Sequence, residues 1–346
     1  VTKDEIYLQR CLELAKNGMG HVAPNPMVGC VVVHNDRIVG EGYHQQYGER
    51  HAEVNAINAV ADHSILPEST LYVNLEPCAH FGKTPPCANL VAEHQLKRVV
   101  IGCVDPHDEV AGKGIEKLKT AGCEVEVGVL EKESLELNKR FFTFHQQQRP
   151  YVILKWAQTL DGFIDKHREP NETGINWITN KFSKILVHKW RTEEQAILVG
   201  TNTALTDNPS LTAREYSGNS PLRLVIDRTL KLSDDSNLLD GSVATVVYNE
   251  VKNEVGKYEC AQLDFSSDIL PQIMQDLHQR NVQSVIVEGG QHLLSSFIEK
   301  GSWDEARILI GETTFGKGLK APIIEQQHIS KDNIKGDQLL IYRNNK

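Results

Sequence analysis

His51-Ala52-Glu53, then Glu76-Pro77-Cys78, then Cys87 is the stretch that decides how the first half of this chain is built. It supplies one imidazole, two thiolates and one spare carboxylate. Three such ligands suit Zn²⁺ with a fourth position left open for water, which separates catalytic zinc sites from closed structural ones. Zinc lowers the pKa of a bound water to about 7. Glu53 lies two residues past the ligand histidine, so it can carry protons without binding the metal.

The pairing of H-x-E with P-C is the signature of zinc deaminases acting on nucleobases. Taken singly the pieces are bland. An isolated H-A-E reads as a helix start with a solvated Glu, and a lone Cys in apolar surroundings reads as core. A closed structural zinc site is the other alternative. The cysteines here are spaced C-x8-C rather than C-x2-C, with the insert Ala79-His80-Phe81-Gly82-Lys83-Thr84-Pro85-Pro86 between them. His80 in that insert is a rival ligand.

The chain has 346 residues, enough for about two domains, and 40% of them are hydrophobic, ample for two cores. The net charge is −9, against a broad nucleic-acid footprint, which is normally basic. A small phosphorylated substrate held by a few local Arg or Lys remains compatible. Seven cysteines are sparse and odd in number, so a reducing, cytoplasmic setting is expected rather than a disulfide framework. VTKDEIYLQRC does not read as a signal peptide. No stretch approaches about 18 uninterrupted apolar residues, so no membrane span is expected. Asn171-Glu172-Thr173 matches a glycosylation acceptor, without meaning in a cytosolic chain.

Outward from the motif, Thr2 with Glu5 forms a capping box ahead of Tyr7, Leu8, Cys11, Leu12, Leu14 and Ala15 at helical spacing. Residues 28–34, 37–43, 70–75, 98–103 and 124–129 read as strands; 51–61, 87–94, 113–121 and 132–145 read as helices. This order predicts a sheet covered by helices on both faces, with the ligands converging at one edge. The polar run Gln146-Gln147-Gln148-Arg149-Pro150 marks a domain boundary, giving domains 1–148 and 149–346.

The second half starts afresh with Tyr151-Val152-Ile153-Leu154-Lys155-Trp156 and continues as α/β. Strands are expected at 196–200, 222–226, 244–248, 284–287, 306–310 and 339–342, and helices at 181–191, 268–280 and 291–300. Val287-Glu288-Gly289-Gly290 before an apolar helix makes a strand–turn–helix unit whose free N–H groups suit a phosphate. A ligand-free tight turn is the alternative. No G-x-G-x-x-G is present, so a Rossmann site is unsupported. Gly82-Lys83-Thr84 resembles the end of a P-loop but lacks its first Gly. The segment Thr203 to Arg214 reads as a polar loop, Arg191 as a charge at a helix C-terminus, and Asp161-Gly162 as a turn.

Seen together, these pieces resemble the bifunctional riboflavin-biosynthesis RibD family, nearly end to end. The first half matches at Ala23-Pro24-Asn25-Pro26-x-Val28-Gly29, at His51-Ala52-Glu53 and at Glu76-Pro77-Cys78-Ala79-His80-x-Gly82-x-Thr84-Pro85-Pro86-Cys87. The second matches at Lys155-x-Ala157-x2-Leu160-Asp161-Gly162, at Trp177-Ile178-Thr179, over 203–214 and at Val287-Glu288-Gly289-Gly290. The long cysteine insert is normal for that family.

The resemblance implies a cytidine-deaminase-like three-layer α/β/α domain followed by a dihydrofolate-reductase-like α/β domain. It implies deamination of 2,5-diamino-6-ribosylamino-4(3H)-pyrimidinone 5′-phosphate, then NADPH-dependent reduction of the ribosyl group of 5-amino-6-(5-phosphoribosylamino)uracil to ribityl. By motif position it makes His51, Cys78 and Cys87 zinc ligands and Glu53 the proton shuttle, with His80 near the substrate and not a ligand. It carries Ala157, Trp177, Thr203, Asp207 and the turn and helix start Gly290, Gln291, His292, Leu293, Leu294, Ser295 and Ser296 to NADPH. It carries Arg191, Leu211, Arg214 and Glu288 to the substrate, the two arginines suiting its phosphate. The chain departs at Ile175, where the family has a substrate-contacting Ser, and four extra residues lie between Gly162 and Trp177.

The expected partner is a small pyrimidine nucleotide, with no nucleic acid and no membrane, and a homo-oligomer is expected. Two rival readings stand beside this one: a single-function nucleobase or tRNA deaminase, and a non-catalytic zinc scaffold. NADPH binding separates them, since only the bifunctional enzyme needs it.

Overall fold

Near-continuous apolar runs in three neighbouring strands, successive side chains pointing to opposite faces, build the first sheet. The structure, a computed structural model, describes residues 1–79, 85–107, 111–169 and 172–344. His80, the 82–84 tripeptide and Asn171 therefore lie outside the described residues. The chain divides into two units, Val1–Gln148 and Arg149–Lys346.

The first unit runs α1 (Lys3–Ala15), β1 (Gly29–His34), β2 (Arg37–Tyr43), α2 (Ala52–Asn58), β3 (Thr70–Leu75), α3 (Cys87–Glu93), β4 (Arg98–Cys103), α4 (Lys113–Thr120), β5 (Glu124–Val127), α5 (Glu131–Leu137) and α6 (Lys139–Gln147). Strand order is β2-β1-β3-β4-β5. Cys30, Val32, Leu71, Val73, Val99 and Ile101 point to one face and pack with Ala52, Ala56, Ala88, Val91 and Leu118 from α2, α3 and α4. The alternate residues Val31, Val33, Tyr72 and Val100 meet Leu8, Cys11 and Leu14 of α1 on the other. Both faces are thus apolar, as a sheet covered on two sides requires. The Thr2–Glu5 capping box is present in both directions.

β3, which delivers Cys78, is the central strand, and its C-terminal end meets the starts of α2 and α3, the convergence expected from two helix starts beside a strand end. One expectation is corrected here. The single helix expected over 132–145 is two, broken at Asn138. The Asn138 amide accepts from the Met27 N–H at 2.8 Å and donates to the Met27 carbonyl at 2.9 Å, so its side chain works as a backbone partner for a distant loop. That demand overrides helical continuity.

The second unit contains β6 (Tyr151–Thr159), β7 (Phe163–Asp165), α7 (Lys181–Glu193), β8 (Ala196–Gly200), α8 (Thr201–Asp207), β9 (Leu222–Ile226), β10 (Thr245–Asn249), β11 (Glu254–Val255), β12 (Glu259–Gln262), α9 (Ile269–Gln279), β13 (Ser284–Glu288), α10 (Gln291–Glu299), β14 (Glu305–Gly311), β15 (Leu319–Lys320), β16 (Ser330–Ile334) and β17 (Asp337–Arg343). The main sheet has the order β11-β12-β10-β9-β8-β13-β6-β14-β17-β16, and β15 pairs with β7. Its centre is parallel, from β12 to β14, and its edges are antiparallel. Val152, Leu154 and Trp156 face α9 and α10, while Ile197, Val199 and Ile286 face Val187 and Trp190 of α7. The late strand β13 inserts between β8 and β6. That reversal of order opens a crevice at the carboxyl ends of these strands, where open α/β sheets bind ligands.

The polar loop expected from Thr203 begins inside α8, so Thr203 and Asp207 are helical. Seven residues are too few to display a 3.6-residue pattern, and the helix stops at Asn208 with φ 40.

Candidate functional site

His51 is the N-cap of α2, which places Glu53 in its first turn. The helix rests directly on β2. A Cβ on Gly40 would lie 2.3 Å from the Ala56 carbonyl oxygen, and one on Gly42 would lie 2.6 Å from the Asn55 Cβ. Cys78 follows β3, and Cys87 opens α3. The Glu76 carboxylate, 4% exposed, anchors that segment. It accepts backbone N–H bonds from Gly112 at 3.0 Å, Gly114 at 2.9 Å, Ile115 at 3.2 Å and Asp105 at 3.3 Å. A Cβ on Gly114 would sit 2.1 Å from the Pro77 carbonyl oxygen, so only glycine lets α4 approach the Cys78 segment this closely.

The ligand atoms of His51, Cys78 and Cys87 lie within 4.8 Å of one another, and Glu53 is not one of the three. His51 Nδ1 is 3.6 Å from Cys78 Sγ and 3.4 Å from Cys87 Sγ. Two ligands at ordinary Zn–N and Zn–S lengths subtend about 3.5 Å across a tetrahedral angle. The donor set therefore fits zinc without rearrangement. The Cys87 N–H donates to Cys78 Sγ at 3.3 Å. Hydrogen bonding from Cys87, then His51, holds the Cys78 thiol well below its ordinary range, so a thiolate is ready there. Burial, reinforced by the charge on Cys78, pushes the Glu53 carboxyl up, which suits a proton carrier. His44 packs edge-on to His51 with ring centroids 5.3 Å apart. Its Nδ1 donates to the Arg50 carbonyl at 3.0 Å, leaving Nε2 to accept from Asn25 at 3.0 Å. Reading the sequence alone assigned His44 no role.

In the second unit, a cleft of about 380 Å³ gathers Ala157, Trp177, Thr203, Asp207, Arg191, Leu211, Arg214, Glu288 and Gly290. Gln291, His292, Leu293, Leu294, Ser295 and Ser296 do not line it. Leu293 and Leu294 face the apolar core, so their side chains are not offered to a ligand in the cleft. Thr203 Oγ1 accepts from the Gly290 N–H at 2.8 Å, and Gly289 has φ 139. A Cβ on Gly289 would come within 3.2 Å of that hydroxyl, so the turn is a cradle only glycine leaves open. Ile175, 45% exposed, lines the cleft and is not core.

The cleft also contains groups to which the sequence reading gave no role. Lys155 Nζ stands 3.7 Å from Glu288 Oε2, and Arg191 Nη2 donates to the same oxygen at 2.9 Å. Burial alone would raise the Glu288 carboxyl; Arg191 and Lys155 outweigh it and keep the group ionised. Among the described residues Glu288 Oε1 and Arg191 Nε are buried without a hydrogen-bond partner, two polar atoms left for a ligand. Arg191 also donates to the Thr212 carbonyl at 3.1 Å. Arg168 bridges Asp165 at 2.6 Å and Asp207 at 3.1 Å. Burial pushes Asp207 up to about 6. Desolvation, then Arg191 and Arg214, pull His188 down to about 4. Lys184, His188 and Arg191 recur on α7 at i, i+4 and i+7, a spacing that could have exposed them.

Two sequence profiles match the chain in order. The cytidine and deoxycytidylate deaminase zinc-binding region matches residues 1–103, and the RibD C-terminal domain matches 150–342. The riboflavin biosynthesis protein RibD of Aquifex aeolicus is 39% identical, over 98% of each chain. That of Bacillus amyloliquefaciens is 38% identical, over 99% of this chain and 100% of its own. This chain belongs to the RibD family. A solved Thermotoga maritima deaminase/reductase superposes with a TM-score of 0.90 at 37% identity, over 99% of both chains. Acinetobacter baumannii RibD superposes with a TM-score of 0.89 at 32% identity, again over 99% of both. The fold is a cytidine-deaminase-like unit followed by a dihydrofolate-reductase-like unit. The protein is a bifunctional enzyme of riboflavin biosynthesis with one deamination and one reduction step, and its cofactors are zinc and NADPH. No described helix is long and apolar enough to cross a membrane.

Proposed function

We propose that unit 1–148 hydrolytically deaminates 2,5-diamino-6-ribosylamino-4(3H)-pyrimidinone 5′-phosphate and that unit 149–346 reduces the ribosyl group of the resulting uracil nucleotide to ribityl. The Thermotoga relative is described as a diaminohydroxyphosphoribosylaminopyrimidine deaminase and 5-amino-6-(5-phosphoribosylamino)uracil reductase, which supports both halves. The observation that carries the reading is the three-ligand site with a buried, non-ligating Glu53 beside it. A closed structural zinc needs no such carboxylate.

When bound, zinc supplies Lewis-acid activation of a water and NADPH supplies hydride. His51, Cys78 and Cys87 would hold the metal. Glu53 takes a proton from the attacking water and returns protons to the ring nitrogen and the departing ammonia. In the second unit, Ala157, Trp177, Thr203, Asp207 and the Gly290–Ser296 backbone hold the cofactor. Glu288, kept ionised by Lys155 and Arg191, accepts from a sugar hydroxyl through its free Oε1. Arg214, exposed at the cleft, makes no hydrogen bond or ion pair among the described residues and meets the phosphate. A cytoplasmic location and a homo-oligomeric assembly belong to the same reading; sedimentation checks the second.

The test is incubation of the zinc-loaded chain with the diaminopyrimidine nucleotide, with and without NADPH. Without NADPH the product is the uracil ribosyl phosphate and ammonia. With it, the ribityl phosphate forms and NADPH is consumed. Ammonia release with no NADPH consumption would refute the reductase half.

A further inference from the structure

The cleft of the second unit is electropositive in an acidic chain. Five cations line it, Lys155, Arg168, Lys184, Arg191 and Arg214, against three carboxylates, Asp165, Asp207 and Glu288. The net charge of the whole chain is −9. The cations are not equivalent. Arg168 is committed to Asp165 and Asp207. Lys155 and Arg191 converge on Glu288, and Arg191 is held further by the Thr212 carbonyl. That leaves Arg214 and Lys184. Lys184 projects from α7 with its Nζ 4.6 Å from the centroid of the Trp177 ring. Its ion-pair partner, Glu215 at 2.5 Å, is not part of the cleft lining. That glutamate immediately follows Arg214.

We propose that Lys184 is the second cation of the substrate's phosphate, acting with Arg214 while Arg191 serves Glu288, and that Glu215 holds Lys184 until the phosphate arrives. The inference rests on the reductase reading above and names which side chains select the phosphorylated sugar. Lys184 and Ile175 both line the cleft, and Ile175 is an apolar side chain that can make no hydrogen bond to the nucleotide. His188, one turn along α7, is disfavoured as a cation first by burial and then by these same charges. It is crowded by Arg191, Arg214 and Lys184, with Glu215 and Glu288 as the opposing charges. A mobile ammonium on a long stem can leave a half-exposed carboxylate for a phosphate dianion, because the exposed pair itself is worth little.

The experiment uses the full zinc-loaded chain and measures the reductase step on the deaminated nucleotide and on its dephosphorylated form. Lys184→Met keeps the stem over Trp177 and removes the charge. KM for the phosphorylated substrate should rise about tenfold, with KM for the dephosphorylated form, KM for NADPH and kcat unchanged. Lys184→Arg should restore most of the loss. Glu215→Gln should act in the opposite direction, lowering KM for the phosphorylated substrate about two- to fivefold by removing the competitor. Inorganic phosphate should inhibit wild type competitively and Lys184→Met more weakly. If wild type prefers the phosphorylated substrate and Lys184→Met keeps that preference undiminished, the assignment of Lys184 is wrong. A shift in NADPH KM would overturn it too, placing the lysine's effect in Trp177. Equal KM values for both substrates in wild type would instead overturn the phosphorylated-sugar reading itself, and this inference with it.

Discussion

Arg191 Nη2 meets Glu288 Oε2 at 2.9 Å, joining two residues 97 positions apart in sequence. One comes from α7 and the other closes β13. Both are largely buried, and Lys155 completes the group from β6. Removing one member of a buried ion pair leaves an uncompensated charge and costs about 3–5 kcal/mol. Arg191→Met should therefore lower the melting temperature and abolish reduction, while Glu288→Gln in that background recovers part of the stability. Thermal melting of both singles and the double measures the coupling. Additive losses would mean the two side chains act independently.

Glu53→Gln should retain zinc and lose deamination by several orders of magnitude, because proton transfer is removed and shape is kept. Cys78→Ser and Cys87→Ser should lose metal as well. Metal content measured beside turnover separates the two effects. Full zinc with near-normal turnover in the Cys87 variant would move the third ligand elsewhere, with His80 the first candidate.

Gly114→Ala should weaken zinc retention although the residue touches no ligand. Its Cβ would lie 2.1 Å from the Pro77 carbonyl oxygen, one residue before Cys78. Overpacking of this kind costs about 1–3 kcal/mol. Zinc loss to a chelator, timed against wild type, reads the displacement; an unchanged rate would show that α4 does not position the cysteine.

His188 should make the protein less stable in mild acid. Its folded-state pKa is pulled down to about 4 by desolvation and by Arg191 and Arg214, from an ordinary value of 6.5. The unfolded chain thus binds more protons between those two values, so stability rises with pH there. The contribution is complete above about 6.5 and is lost as pH falls toward about 4. Because the cleft is open to water, about 1–2 kcal/mol is expected, less than the full linkage value. Melting curves of wild type and His188→Gln from pH 7.5 to 4.5 check it. The variant should show a shallower fall; parallel curves would assign the acid loss to carboxylates.

The first sheet was legible because its information is local. Continuous apolar runs at 30–33 and 71–73 mark strands covered on both faces without any knowledge of neighbours. The zinc residues were legible for a related reason: few residue types bind zinc, and their order survives in the chain. Strands 70–75, 98–103, 196–200 and 222–226 match the observed bounds because each is a largely apolar run, and 37–43 matches because the Asn35-Asp36 turn fixes its start. The short elements were not legible. α8, β7 and β15 are too brief to show a period, and β7 and β15 form a sheet only by meeting each other.

Residue chemistry and periodicity, then, are what the sequence alone determined: two α/β units, a His-Cys-Cys donor set with a spare carboxylate, and a glycine turn after an apolar strand. Tertiary structure alone decided which charges face one another. Lys155 reads as a polar position in a strand until β13 inserts beside β6 and sets it against Glu288. Arg191 reads as a helix-end charge until the same strand brings its carboxylate partner, and Lys184, to which the sequence assigned nothing, lines the cleft only because of where the fold places α7. The physical reason is that Coulomb and desolvation energies depend on distance and dielectric, which the spacing of residues along a chain does not specify.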